Sequence, residues 1–169
     1  MGLPGCHWGV PGLITGTFMR RTRTLAAAAV AAAFAGSVLL PVQAQAATGS
    51  VHLYKIYYDS PGTDTRSNSS LTAEYVQIRN TTSKAVSLKG WTLTDASNHK
   101  YTFGTYSLGK GKTVTVRTGK GKDTTANRYQ NRGAYVWNND KDTATLKKAS
   151  GSKVDTCSYN STKADYKMC

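Results

Sequence analysis

Glutamate occurs once in this chain, at Glu74, and histidine three times, at His7, His52 and His99. So small a stock of carboxylates and imidazoles leaves little for general acid–base catalysis. No HExxH zinc motif and no G-x-S-x-G nucleophile elbow occurs. Cysteine is equally scarce: Cys6 stands near the start, and only Cys157 and Cys169 lie beyond residue 46. Two lone cysteines do not make a metal centre. After Val51 no 3.6-residue hydrophobic period is sustained, which excludes a helical architecture.

Long apolar runs are absent too, apart from Leu25–Leu40. Its 16 residues are Ala-rich, and they fall short of the roughly 20 that a spanning helix needs. Met19-Arg20-Arg21-Thr22-Arg23 precedes it, and Pro41 and the small residues Ala44-Gln45-Ala46-Ala47 follow. This order of charge, apolar stretch and small residues is that of a secretory signal peptide, with cleavage expected after Ala46. Residues 1–46 are therefore read as a leader, with Met19 as the expected initiator. The Arg20-Arg21 pair raises a twin-arginine export route, but no apolar pair follows closely behind it. No lipobox cysteine follows the apolar stretch either, so the expected product is secreted, without a membrane span or lipid anchor.

What remains, 47–169, is 123 residues, enough for one hydrophobic core and expected to form one domain and a monomer. The leader holds three of the 22 basic residues and none of the nine acidic ones, so this part carries 19 against 9, a net +10. A balance so basic favours anionic partners such as nucleic acid or a cell-wall polymer. Unspecific adhesion is the plainer alternative. In an oxidising compartment the even pair Cys157 and Cys169 is expected to form a bridge that closes the C-terminal tail onto the last strand.

Apolar residues alternate at period two in short runs: 51–58, 73–80, 85–88, 91–95, 100–103, 112–118, 134–137, 143–146 and 153–157. Turn residues separate them at spacings near ten, the pattern of an all-β sandwich of eight or nine short strands. Val76 and Ile78, Val86 and Leu88, Trp91 and Leu93, Tyr101 and Phe103, Val114 and Val116, Tyr135 and Trp137, and Ala144 and Leu146 are the expected inward pairs. The polar stretches 60–71 and 119–133 are expected to be surface loops.

Two GKGK runs, 109–112 and 119–122, read as hairpin turns flanking the strand 112–118. Lys110, Lys112, Arg117, Lys120 and Lys122 are the candidate anion-binding residues, since phosphates are held by Lys and Arg on loop tips. Lysine on an edge hairpin also wards off edge-to-edge pairing. The segment 104–111 falls short of a P-loop because Gly111 follows Lys110 where Ser or Thr is required. Glu74, His99 and Arg79 have the residue types of a ribonuclease's base, acid and clamp, but odd spacing on one strand points Glu74 and Arg79 to opposite faces. Tyr54, Tyr57, Tyr58, Tyr106 and Tyr129 suit stacking on sugars or bases, or simply a half-buried strand surface.

The stretches EYVQIRNTTSKAVSLKGWTLTD, YTF, LGKGKTVTVRTGKG and WNNDKDTATLKKASGSKVDTCSYN together resemble the lamin tail domain, which also occurs in secreted bacterial proteins. The resemblance runs from about Val51 to Tyr159. It is carried by Glu74-Tyr75-Val76 with Ile78 and Asn80, by Gly90-Trp91-x-Leu93-x-Asp95, by Gly111, and by Trp137-Asn138-Asn139 leading to Asp142 and Leu146. It implies an immunoglobulin-like β-sandwich, and it makes the cluster Asn138–Asp142 a turn entering a strand rather than a calcium loop. A calcium loop also needs more oxygen ligands in register than this run supplies.

The function these readings favour is a secreted, non-enzymatic binding or scaffold module for anionic extracellular polymers, without cofactor or metal. A small secreted nuclease or other hydrolase is one competing class. The other is a surface protein that pairs with an exported protein through a strand edge.

Overall fold

The computed structural model describes residues 49–169; the leader, its expected start and its cleavage site lie outside the described residues. The strands are β1 (Val51–Tyr57), β2 (Tyr75–Asn80), β3 (Val86–Ser87), β4 (Thr92–Thr94), β5 (Lys100–Thr102), β6 (Ser107–Leu108), β7 (Thr113–Arg117), β8 (Asn127–Tyr129), β9 (Lys141–Lys147), β10 (Lys153–Asn160) and β11 (Tyr166–Met168), with one short helix, α1 (Asn68–Ala73), between β1 and β2. They form a five-stranded sheet in the order β11-β1-β2-β7-β8, a four-stranded sheet in the order β10-β9-β4-β5, and the small pair β3-β6. All pairings are antiparallel except β7 with β8.

The two larger sheets form a sandwich because period-two alternation gives each one apolar face. Leu53, Ile56, Val76, Ile78, Val114 and Val116 line one inner face, and Leu93, Ala144, Leu146, Cys157 and Tyr159 the other. Each such aliphatic side chain contributes on the order of 2 kcal/mol when fully buried. A bulge between Leu53 and Lys55 keeps β1 in phase: Tyr54 and Lys55 both turn outward and Ile56 returns to the core. The bulge frees the Leu53 N–H, which donates to Asp155 Oδ2 on β10 at 2.8 Å and so ties the two sheets together. Cys157 of β10 and Cys169, just past β11, are bridged. The bridge thus joins the sheets, and the C-terminal tail is itself a strand rather than a flap on β10.

Four sequence expectations need correction. The run 134–137 is not a strand: Val136 and Trp137 are buried in succession while Tyr135 is only half-buried, which a strand's alternation does not permit. The stretch 60–71 contains the start of α1, capped by Ser67, whose side chain accepts from the Ser70 N–H. Six residues are too few to show a helical period. The stretch 119–133 contains β8. Because β8 runs parallel to β7, residues 118–126 form a looped return rather than a hairpin, and β7 is an interior strand rather than an edge. Without 134–137 and with β6, β8 and β11, the described residues hold 11 strands where eight or nine were expected.

Candidate functional site

On the five-stranded sheet the outward residues alternate with the core residues just named. Tyr166 pairs with Tyr57, Tyr57 with Tyr75, Tyr75 with Arg117, and Arg117 with Tyr129. These five therefore form one row across all five strands, about 19 Å long at ~4.8 Å per strand. The rings stack along it: Tyr57 lies 5.3 Å from Tyr75 and 6.2 Å from Tyr166, with interplanar angles of 15° and 10°. The Lys55 ammonium lies 4.0 Å from the Tyr166 ring centroid and 5.2 Å from that of Tyr57, and the Arg117 guanidinium lies 5.4 Å from that of Tyr75. Such cation–ring contacts hold the charges over the sheet.

Beside this row runs a polar one, Gln77, Thr115 and Asn127. Gln77 Nε2 donates to Thr115 Oγ1 at 3.3 Å, and Asn127 Oδ1 accepts from Arg117 Nε at 2.8 Å. Arg117 also donates through Nη1 to the Thr72 carbonyl of α1 at 2.6 Å. A third row pairs His52 with Arg79 and Arg79 with Thr113, and the Arg79 guanidinium lies 5.2 Å from the Tyr54 ring centroid. Burial first, then Asp165, the Tyr75 hydroxyl and Asp59, raise the Tyr57 hydroxyl pKa.

The five basic residues singled out in the sequence do not converge. Lys110 and Lys112 are exposed before β7, Lys120 and Lys122 are exposed after it, and Arg117 is half-buried in the row just described. A five-residue strand, about 17 Å, separates the two lysine pairs. They border opposite ends of the same sheet face: the Lys112 carbonyl accepts from the Asn80 N–H at the Arg79 end, and Gly121 lies under the Tyr129 ring at the other. A Cβ on Gly121 would stand 2.4 Å from Tyr129 Cε1, so the second GKGK run passes directly beneath that ring. The signal missed in the sequence was the register that aligns four tyrosines from four separate segments.

Other tyrosines named from sequence are occupied elsewhere. Tyr58 is buried, stacks on Tyr159 at 3.8 Å, and donates to the Ser161 carbonyl. Tyr106 is buried, donates to the Thr125 carbonyl at 2.7 Å, and lies under the Arg128 guanidinium.

Nor does the structure assemble Glu74, His99 and Arg79. Glu74 is fully buried next to β2; its Oε1 accepts from Thr118 Oγ1 at 2.5 Å and from the Val136 N–H at 2.9 Å. Burial outweighs these bonds and pushes its carboxyl up to about 7. His99 belongs to the β4–β5 turn of the other sheet, where its ring Nδ1 and Asp95 Oδ2 are 2.6 Å apart. The segment Trp137–Asp140 is a turn that leads into β9, held by Asp142 at the start of that strand: Asp142 Oδ2 accepts from Asn138 N–H at 3.2 Å and Nδ2 at 3.1 Å, and Oδ1 from the N–H groups of Ala96 and Thr143 at 2.9 and 2.7 Å. A carboxylate that meets four donors binds two turns together.

Two facing antiparallel sheets with a mixed edge and inward alternation define an immunoglobulin-like β-sandwich. The family model for the lamin tail domain matches residues 44–161, and the chain belongs to that family, an immunoglobulin-like, non-catalytic one. No curated protein matches the chain. Among the described residues no helix is long and apolar enough to cross a membrane.

Proposed function

We propose that this protein is a secreted binding or scaffold module, without catalytic activity, that engages an anionic extracellular polymer through its basic surface. The observation that carries the reading is the placement of charge. Lys55, Arg79 and Arg117 stand on one sheet face, with Lys110, Lys112, Lys120 and Lys122 at its two ends, in a part of the chain with net +10. Membership in a non-catalytic immunoglobulin-like family supports it, as does a disulfide of the kind that persists in oxidising compartments. Among the described residues, Glu74, His99 and Arg79 are not brought together.

Residues 47–169 contain the whole described sandwich and are the material for the test. They are titrated against single-stranded DNA, duplex DNA, RNA and a polyol-phosphate wall polymer at about 50 and 200 mM salt, with the polymer recovered intact afterwards. Binding that weakens steeply with salt, at a slope near one per phosphate contacted, is the expected result. Absence of binding at either salt overturns the electrostatic reading and leaves pairing with an exported protein through a strand edge. Shortened nucleic acid would restore the nuclease reading.

A further inference from the structure

The Tyr166–Tyr57–Tyr75–Arg117–Tyr129 row combines two chemistries that a purely phosphate-binding surface does not need together. Cations alone suffice for a polyol phosphate, which has no planar ring to stack. Five of the outward positions instead form an aromatic and guanidinium row, next to the amide and hydroxyl groups of Gln77, Thr115 and Asn127. The two large hydrophobic side chains that are exposed among the described residues, Tyr166 at 47% and Met168 at 44%, stand at the β11 end of this same face. Lys120 and Lys122 flank Gly121 beside the Tyr129 end of the row, while Lys110 and Lys112 stand a strand length away at the other end of β7.

From this juxtaposition we infer that the outer face of the five-stranded sheet is a binding platform for single-stranded nucleic acid. The inference rests on the anionic-polymer reading above and names its ligand class. Bases of a single strand are free to stack on tyrosine rings and on the Arg117 plane, while Lys and Arg at the margins take the phosphates. A duplex hides its bases and offers phosphates only. A row of about 19 Å accommodates on the order of four nucleotides at the low end of single-strand site sizes.

The test compares three labelled probes of equal length against residues 47–169, at equal phosphate concentration because the duplex carries twice the charge: a single-stranded oligonucleotide, the same oligonucleotide with abasic sites at every position, and a duplex, with the wall polymer titrated alongside. Stacking by even one base makes the intact strand bind about tenfold or more tighter than the abasic one. The Tyr57→Thr/Tyr166→Thr variant keeps strand-compatible residues, and its fold is checked by its melting temperature. It is expected to remove most of that tenfold difference while leaving abasic binding within twofold. Lys110→Ala, away from the row, is expected to weaken all three probes alike. Equal affinity for intact and abasic strands overturns this inference but leaves the anionic-polymer reading standing. Preference for the wall polymer or, per phosphate, for the duplex over the single strand overturns it too, and no binding to any probe or to the wall polymer overturns both readings.

Discussion

Glu74 Oε1 accepts the Val136 N–H at 2.9 Å, whereas Glu74 Oε2, equally buried, has no partner among the described residues. A half-satisfied buried carboxyl is stable when neutral and costly when charged. Its folded pKa is raised from 4.5 to about 7, chiefly by desolvation. A carboxyl raised on folding binds its proton more tightly in the native state. Its contribution is therefore fully present below pH 4.5 and is lost as pH rises through about 7.

The neutral isostere Glu74→Gln is expected to behave as the permanently protonated form. Relative to wild type it should gain on the order of 3 kcal/mol of stability by pH 8 and nearly nothing at pH 4. Denaturant midpoints measured across that range check the prediction, and a difference that does not vary with pH contradicts it.

Asn80 ties three segments. Its Nδ2 donates to the Lys84 and Leu108 carbonyls, both at 2.8 Å, and its Oδ1 accepts from the Thr82 N–H and hydroxyl at 2.9 and 2.7 Å. Asn80→Asp replaces the donor by a second acceptor that faces carbonyl oxygens. Loss of the bonds donated to Lys84, Leu108 and Gly109 within a fully buried site is expected to cost about 3 kcal/mol or more, while Asn80→Ala costs less because it adds no charge. Chemical denaturation of the two variants gives the order.

How legible this was in the sequence depended on how local each signal was. Alternation placed Val76, Ile78, Val114, Val116, Ala144 and Leu146 correctly, because a strand with one wet face must alternate. Short elements escaped. Two-residue β6 and six-residue α1 are shorter than any period that could reveal them, and β8 lies in a polar stretch whose order comes from Asp123 and Thr124 side chains bonding the backbone of 127–129. The run 134–137 misled because Glu74, some sixty residues earlier, takes the Val136 N–H that a strand would give to a neighbour. For the site, residue types were readable and positions were not: Tyr57, Tyr75 and Tyr166 become neighbours only through the pairing of three strands.

Removing the Cys157–Cys169 bridge should release β11 from β1 before the sandwich itself opens. The closed loop is short, with a sequence separation of 12, and contributes at most about 3 kcal/mol on the chain-entropy account. β11 has only three residues and pairs with Lys55, Ile56 and Tyr57. In the Cys157→Ser/Cys169→Ser variant, amide exchange is expected to quicken for the backbone of β1 that faces β11, while Val76 and Val116 stay protected. Uniform quickening would show instead that β11 opens only with the whole fold.

Gly121→Ala tests how tightly the second lysine-rich run is held against the aromatic row. The added methyl would lie 2.4, 2.5 and 2.6 Å from Tyr129 Cε1, Cζ and Cδ1, closer than such atoms pack, so ring or loop must give way. The Tyr129 backbone is anchored, its N–H donating to Asp123 Oδ1 at 3.0 Å. The Gly121 N–H has a longer bond, 3.3 Å to Asn131 Oδ1. The loop therefore yields first, at a cost on the order of 1–2 kcal/mol typical of overpacking. NMR signals of Lys120, Lys122 and the Tyr129 ring should move, while those of Tyr75 and Tyr57, two and three strands away, keep their positions. If all the tyrosine signals shift together, the row is a single coupled unit and Gly121 controls its whole length.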